Sequence, residues 1–127
     1  HFVLSSLRTL RTGSHMELGA LGRKHVVAAA GIADPASFSA QLRATGAGVQ
    51  LLAYQDHHAY PPADVARLAQ AAKEADYVVV TEKDAVKLRH RWPSDAPEPL
   101  VAELALHWEL NGAAVERILE GVFKRAL

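Results

Sequence analysis

The sequence predicts an α/β domain of three layers, in which a mostly parallel sheet of about four strands carries helices on both faces. Short apolar runs of strand length alternate along the chain with segments of helical periodicity. One of these runs, YVVV at residues 77–80, is apolar throughout, which is typical of a strand that is covered on both faces. Prolines and glycines separate the segments, as this alternation requires.

The first strand is predicted at residues 25–30 (HVVAAA). Asp34 then caps a helix whose first turn contains a proline, and Phe38 and Leu42 lie on its buried side. The second strand follows at residues 49–54 (VQLLAY), so this part of the chain forms a strand–helix–strand unit.

A second helix begins at the Pro61-Pro62 pair, because proline suits the first turn of a helix. Its apolar residues follow the i, i+3, i+4, i+7 spacing of one buried stripe, namely Val65, Leu68, Ala69 and Ala72. The third strand, at residues 77–80, leads into Thr81, which caps a short helix that ends near His90.

A loop marked by prolines at residues 93–99 precedes the fourth strand, at residues 100–108 (LVAELALHW). Asn111 is placed to cap a last helix. The buried stripe of that helix is predicted to consist of Val115, Ile118, Leu119, Val122 and Phe123.

The N-terminal segment is predicted to lie outside the domain. Its residues 13–16 (GSHM) resemble the scar of a cleaved expression tag, and the residues before them have no clear period. We therefore assign residues 1–16 to a tag or linker and residues 17–127 to one α/β domain.

Composition excludes several classes of protein. The 14 basic and 14 acidic residues cancel, so no overall positive field attracts nucleic acid. The chain has no cysteine, which excludes disulfides, thiolate metal sites and a cysteine nucleophile. No apolar run reaches the length of a membrane span and no signal peptide is visible, so we expect a soluble chain.

Polar turns follow three of the predicted strands, at residues 31–34, 56–58 and 81–84. Parallel strands bring their carboxyl ends to the same edge of a sheet, and ligands of such sheets bind beyond that edge. We therefore expect the three turns to line one rim, which is the candidate functional site.

The turn Asp56-His57-His58 is open to three interpretations: a solvated loop, a metal site or an acid–base pair. Neighbouring residues of an extended segment point to opposite sides, so these two histidines are poorly placed to share a metal. The further histidines are scattered and complete no ligand shell, at His25, His90 and His107. We predict no metal site. A carboxylate beside an imidazole orients it and raises its basicity, which suits proton transfer.

The turn TEKD at residues 81–84 has a structural and a functional interpretation. Thr81 and Asp84 match a capping box, with Asp in place of the commoner Glu. Glu82 and Lys83 have no such explanation, and a lysine at the rim is suited to contact a phosphate. The basic cluster that follows is either the charged last turn of a helix or a contact for an anionic head group; it consists of Lys87, Arg89, His90 and Arg91, with Trp92.

Three motifs, in this order, carry a resemblance: AAAGIADPASF at residues 28–38, DHHAY at residues 56–60 and TEKDAVK at residues 81–87. Together they resemble the C-terminal part of the tetraacyldisaccharide 4′-kinases, the lipid A 4′-kinase family, over nearly all of residues 20–127. The first motif departs from the family's usual AGIGNPxxF at Ala33 and Asp34. Aspartate caps a helix as well as asparagine does, so the departure weakens the match little.

The resemblance implies a kinase that uses ATP and magnesium to phosphorylate the 4′-hydroxyl of an anionic acylated disaccharide, tetraacyldisaccharide 1-phosphate. It implies a location at the cytoplasmic face of the bacterial inner membrane. In the family, the phosphate loop, the magnesium-binding acids and the membrane anchor lie in an N-terminal half. This sequence has no GxxxxGK[ST], GxGxxG or GxSxG pattern, so we expect the chain alone to be inactive and to bind neither ATP nor magnesium.

The resemblance also implies roles for the rim residues. His57 would pair with an acid of the P-loop domain and activate the sugar hydroxyl, with Asp56 orienting it. The turn containing Thr81 and Asp84 would face the same cleft and bind substrate, chiefly through Glu82 and Lys83. These catalytic and substrate-binding roles leave His58 without an assigned one.

Two alternatives of other classes remain open at this point. A metal-dependent phosphoesterase of the Asp-His-His type would need an upstream Asp-x-Asp, which does not occur in the sequence. A non-catalytic interaction module would have no need of the imidazole at position 57, so replacing it would leave activity intact.

Overall fold

The computed structural model describes residues 2–106, 109–110 and 113–114. Its main strands are β1 Phe2–Thr9, β2 His15–Met16, β3 His25–Ala30, β4 Gly48–Ala53, β5 Tyr77–Thr81 and β6 Leu100–Leu106. Its helices are α1 Pro35–Arg43, α2 Pro62–Glu74 and α3 Glu82–Leu88, with a 3₁₀ helix at Leu18–Leu21. Two short strands follow, β7 Glu109–Leu110 and β8 Ala113–Ala114.

The main sheet has six strands in the order β2-β1-β6-β5-β3-β4. The pairs β3–β4, β3–β5 and β5–β6 are all parallel, and these four strands are the ones that the sequence predicts. Strand β1 joins them antiparallel to β6, and β2 is antiparallel to β1. The prediction of a mostly parallel α/β sheet is therefore confirmed, with two further strands added at one side.

Each face of the sheet packs against helices because successive strand residues alternate between the faces. Val27 and Ala29 of β3 lie in the cluster beneath α2 and α3. Val26 and Ala28 lie in the cluster beneath α1. The residues of both clusters are at most 9% exposed. Each buried valine or leucine contributes about 1.5–3 kcal/mol to stability through removal of its apolar surface from water.

The helices begin where their capping residues predict. The Asp34 carboxylate accepts a hydrogen bond of 3.1 Å from the Ser37 amide, and α1 starts at the following proline. Helix α1 buries Phe38 and Leu42 as predicted. The predicted stripe of α2 is buried in full: Val65, Leu68, Ala69 and Ala72.

The N-terminal residues are part of the sheet, so the prediction that residues 1–16 lie outside the domain is wrong for the described residues 2–16. Leu4, Leu7 and Leu10 are buried, and β1 pairs with β6 along its whole length. The register of this pair shifts between Leu4 and Ser6, which indicates a β-bulge. The bulge brings Leu4 and Leu7 to the same face although they are three residues apart, and this conceals the two-residue period of a strand.

Most of the predicted last helix lies outside the described residues, including Asn111 and the stripe from Val115 to Phe123. Of that segment, Ala113–Ala114 is described, and it pairs with Glu109–Leu110 as a short antiparallel ladder. Within the described part of the chain, no helix has the length and apolar character that crossing a bilayer requires.

The order of the parallel strands creates a crevice at one edge. Strand β3 lies between β4 and β5, and the chain leaves β3 toward α1 on one face. The chain leaves β5 toward α3 on the opposite face. Such a reversal opens a crevice beyond the carboxyl ends of the two strands, where ligands of open α/β sheets bind. The turns at residues 31–34 and 81–84 border this crevice.

Candidate functional site

The backbone of Gly31 joins the three polar turns. Its amide donates to the Asp84 carboxylate, at 3.1 Å to Oδ1 and 3.2 Å to Oδ2. Its carbonyl accepts a hydrogen bond of 3.2 Å from the His57 amide. The prediction that the three turns line one rim is therefore confirmed.

Thr81 and Asp84 form the base of this rim. The Thr81 hydroxyl donates to Asp84 Oδ2 at 2.6 Å and accepts from the Asp84 amide at 3.3 Å. Both residues are buried, at 2% and 0% exposure. Thr81 therefore caps α3 as predicted, but the reciprocal bond of a capping box is replaced, because the Asp84 carboxylate accepts from the Thr81 hydroxyl and the Gly31 amide. Asp84 is out of reach of a ligand in this structure. Glu82 and Lys83 are the exposed residues of the turn.

Glycine is needed at position 31 for reasons of space. A Cβ atom there would lie 3.0 Å from the Gln55 carbonyl, 3.1 Å from Asp84 Oδ1 and 3.1 Å from His58 Cβ. We expect Gly31→Ala to lower the free energy of unfolding by about 1–3 kcal/mol, measured by urea denaturation. Gly19→Ala is the matched control, because a Cβ there meets nothing within 4 Å. Equal stability of the two variants would contradict this packing argument.

Asp56 pairs with Lys83 across the rim. Lys83 Nζ lies 2.5 Å from Asp56 Oδ1, and both side chains are about two-fifths exposed, at 39% and 41%. This hydrogen bond, and after it the charges of His57 and Lys83, lowers the pKa of Asp56 below its usual value. The predicted partner of Asp56 is farther away, since His57 Nε2 lies 3.9 Å from Asp56 Oδ2. That separation permits charge attraction but no hydrogen bond.

His57 stands out from the rim. Its side chain is 76% exposed, and its φ of +65° is in the left-handed region, which is uncommon for residues other than glycine. The hydrogen bond from the His57 amide to the Gly31 carbonyl holds this conformation. The imidazole is therefore free for a group that approaches from outside the chain.

His58 turns inward, as expected from the opposite directions of neighbouring side chains. Its Nε2 lies 2.7 Å from Asp64 Oδ2, and the two side chains are 22% and 23% exposed. This pair was not predicted from the sequence, in which Asp64 is a typical acidic residue for the first turn of a helix. No local sequence pattern marks this pair, whose members are six residues apart on either side of a proline pair.

The basic cluster at the end of α3 contacts the loop that follows the histidines. Lys87 Nζ donates to the His58 carbonyl at 2.6 Å. An Arg91 guanidinium nitrogen donates to the carbonyls of Ala59, at 2.8 Å, and Tyr60, at 2.9 Å. These contacts support the structural interpretation of the cluster. Trp92 is also structural, being buried, and its indole N–H donates to the Pro97 carbonyl at 3.0 Å.

Glu82 has a partner from the N-terminal strand. Arg8 on β1 donates to Glu82 Oε1 at 3.1 Å, where Glu82 is more than half exposed. This contact was not predicted, because residues 1–16 were assigned to a tag or linker. Exposed pairs of this kind contribute about 0–1 kcal/mol, so Glu82 is available to exchange Arg8 for another cation.

An open cavity of ≈ 550 Å³ lies beside the TEKD turn, on the α1 side of the sheet. Its walls are mainly apolar, with Ile32, Phe38 and Leu104 among them, and Lys83 and Glu82 border it. Thr81 also borders it. An apolar hollow with a few charged groups at its edge is typical of a site for an organic ligand.

The described residues do not fit a bound metal ion. Among them, no group of three histidine, aspartate or glutamate side chains is placed to hold a metal ion. The carboxylates of the rim already have partners, Asp56 with Lys83 and Asp84 with Gly31. Asp56 and Asp84 are therefore not free to ligate a metal ion in this structure.

Comparison with known proteins matches this chain to one family. The family model described as tetraacyldisaccharide-1-P 4′-kinase matches residues 3–124. Proteins named tetraacyldisaccharide 4′-kinase are 42% identical over 86 residues in Syntrophus aciditrophicus (strain SB) and 42% over 100 residues in Methylobacterium nodulans. The protein of that name in Nitrobacter winogradskyi is 34% identical over 122 residues.

The shares of each chain that these matches cover are unequal. They cover 65%, 77% and 93% of this chain but 23%, 28% and 36% of the respective relatives. This chain therefore spans about a quarter to a third of the length of the relatives that it matches. No solved structure matches the chain significantly.

Proposed function

This chain belongs to the tetraacyldisaccharide 4′-kinase family, as its three motifs predicted, and we propose that it is the C-terminal part of such a kinase. The complete enzyme would transfer the γ-phosphate of ATP to the 4′-hydroxyl of tetraacyldisaccharide 1-phosphate in lipid A biosynthesis. The observation that carries this proposal is the exposed imidazole of His57 on the rim. The His57 amide bonds to the Gly31 carbonyl, and the two residues belong to turns that match two of the family motifs.

In the proposed reaction, His57 receives the proton of the attacking hydroxyl. A sugar hydroxyl is a weak nucleophile, and an oriented acceptor within hydrogen-bond reach makes its attack on phosphorus easier. An acid from the P-loop domain would pair with the imidazole, and Asp56 would orient it from the other side. The 3.9 Å between Asp56 and His57 is compatible with this, because catalytic hydrogen bonds often shorten only when substrate is bound.

The substrate-binding part of the proposal concerns Lys83 and Glu82. Lys83 lies beside the apolar cavity, so a cation and an apolar surface adjoin at this place. That combination suits an anionic acylated sugar, whose phosphate and hydrocarbon chains need both. Lys83 would exchange its contact with Asp56 for one with the substrate, which would also release Asp56 toward His57.

The proposed partner is an N-terminal P-loop domain, which would supply the sites for ATP and magnesium. The much greater length of the relatives supports this proposal, together with the absence of a phosphate-loop pattern from the present sequence. Placing the proton acceptor and the phosphate site on two domains would make transfer depend on their closure, which excludes water from the γ-phosphate. The complete enzyme would act at the cytoplasmic face of the bacterial inner membrane.

A comparison of the complete kinase with the isolated chain tests this proposal. With radiolabelled ATP, magnesium and tetraacyldisaccharide 1-phosphate, we expect the complete enzyme to label the 4′-position. We expect the purified 127-residue chain, with circular dichroism showing that it is folded, to transfer no label. Labelling by the chain alone would overturn the two-domain proposal. Release of free phosphate by the chain in the presence of manganese would instead favour a phosphoesterase.

A further inference from the structure

The turn after β4 contains a second acid–imidazole pair, to which the proposed reaction assigns no role. It joins His58 on the turn to Asp64 in the first turn of α2, with 2.7 Å between Nε2 and Oδ2. The His58 side chain is 22% exposed, against 76% for the neighbouring His57. The adjacent histidines therefore differ in environment: His58 is partly buried and hydrogen-bonded, whereas the His57 side chain is exposed.

Aromatic rings fix the orientation of the inner imidazole. The His58 ring stacks on Tyr54 with 4.4 Å between centroids and an interplanar angle of 13°. Tyr60 meets it edge-on, with 4.8 Å between centroids and an angle of 76°. The His58 side chain is thus held both through its ring and through a ring nitrogen, which leaves it little rotational freedom.

The backbone around His58 has an uncommon conformation that needs such restraint. His57 and Tyr60 both have positive φ, at +65° and +56°. Residues other than glycine keep this conformation only where the surrounding structure over-determines it. The carbonyls of the loop are restrained by Lys87 and Arg91. From within, the loop is anchored by the buried Tyr60 and by His58 through its bond to Asp64.

We propose that His58 is a positioning residue, whose bond to Asp64 and packing between Tyr54 and Tyr60 hold His57 in its outward, left-handed conformation. The inference rests on the proposed role of His57 in proton transfer. Fixing the Cα atom of His58 fixes the direction of the adjacent side chain. Without the anchor, the turn relaxes toward an extended conformation and the imidazole of His57 leaves the rim. A displacement of about 1 Å at a reacting group is enough to cost about a hundredfold in rate.

His58→Phe in the complete kinase tests this inference. Phenylalanine keeps a ring against Tyr54 and removes the hydrogen bond to Asp64. We expect kcat to fall between about ten- and a hundredfold, with the KM for ATP unchanged, because the nucleotide lies on other residues. His25→Phe is the matched control, since His25 is exposed at the opposite end of β3, and it should keep the parent kcat.

A double-variant cycle separates positioning from a general structural role. In the His57→Ala background, His58→Phe is expected to cause no further loss of kcat, because the residue through which it acts is absent. An equal loss in both backgrounds, or no loss in the parent enzyme, would overturn the inference. Full activity of His57→Ala by itself would instead refute the proposed function, so the two failures are distinguishable.

A second pair of variants examines the same hydrogen bond from the other side. Asp64→Asn keeps an acceptor oxygen for His58 and leaves the aromatic packing untouched, whereas Asp64→Leu removes the acceptor. We expect Asp64→Asn to keep several times more kcat than Asp64→Leu at similar melting temperatures. Equal activity of these two variants would overturn the role of the pair, even if His58→Phe failed to fold.

Discussion

Replacing His57 by alanine in the complete kinase is expected to lower kcat by about 10²–10⁴-fold, the usual contribution of a general base. The KM for ATP should stay near the parent value, since the proposed ATP site lies on the P-loop domain. The melting temperature should also stay unchanged, because the side chain is 76% exposed and makes no hydrogen bond within the described residues. Initial rates at saturating ATP and tetraacyldisaccharide 1-phosphate measure the effect.

The matched control is His90→Ala. His90 is also an exposed histidine, but it lies beyond α3 and away from the rim, so its replacement should leave kcat within about twofold of the parent. His57→Gln keeps hydrogen-bonding capacity without a proton acceptor of suitable basicity, and it should be nearly as slow as the alanine variant. If His57→Ala retained the parent kcat, the chain would be better described as an interaction module than as part of the catalytic site.

The parallel part of the sheet could be predicted because its signals are local. Residues 77–80 are β-branched or aromatic and lie between turn residues, and Pro35 and Pro62 each stand at the start of a helix. The stripe of α2 has a spacing that no strand can bury on one face. The existence of the rim followed in turn, because parallel strands must end at the same edge.

Strand β1 could not be predicted in the same way. Its bulge spaces the buried Leu4 and Leu7 by three residues, and the GSHM run that follows resembles an artificial sequence. The structure shows that this run belongs to the connection between β1 and β2 and to β2 itself. The exclusion of these residues also removed Arg8 from consideration, and with it the partner of Glu82.

The partners of the rim residues depend on tertiary distances that no local pattern contains. Asp56 has His57 beside it in sequence, yet its hydrogen bond goes to Lys83, which is 27 residues away. His58 hydrogen-bonds to Asp64, which lies beyond the proline pair in the first turn of α2. The turns that form the rim were therefore predictable from the sequence, whereas the pairing of their side chains was not.

The second large effect is expected for Asp84, whose replacement by alanine should lower the free energy of unfolding by about 3 kcal/mol. The carboxylate is fully buried and accepts hydrogen bonds from the Gly31 amide and the Thr81 hydroxyl. Removing it leaves two buried donors without an acceptor, each at a cost of about 1–3 kcal/mol. Burial, and after it the negative charge of Asp84, also raises the pKa of Tyr60, so the tyrosine hydroxyl beside it stays protonated.

Asp34→Ala is the matched control. Asp34 also accepts a hydrogen bond from a backbone amide at the start of a helix, but it is exposed. Its loss should cost about 1 kcal/mol, the usual value of a helix cap. Asp84→Asn should fall between these two variants, since it keeps one acceptor oxygen. If Asp84→Ala were no less stable than Asp34→Ala, burial would not strengthen the contact. The Gly31 backbone would then be fixed by other means, and with it the turn that carries His57.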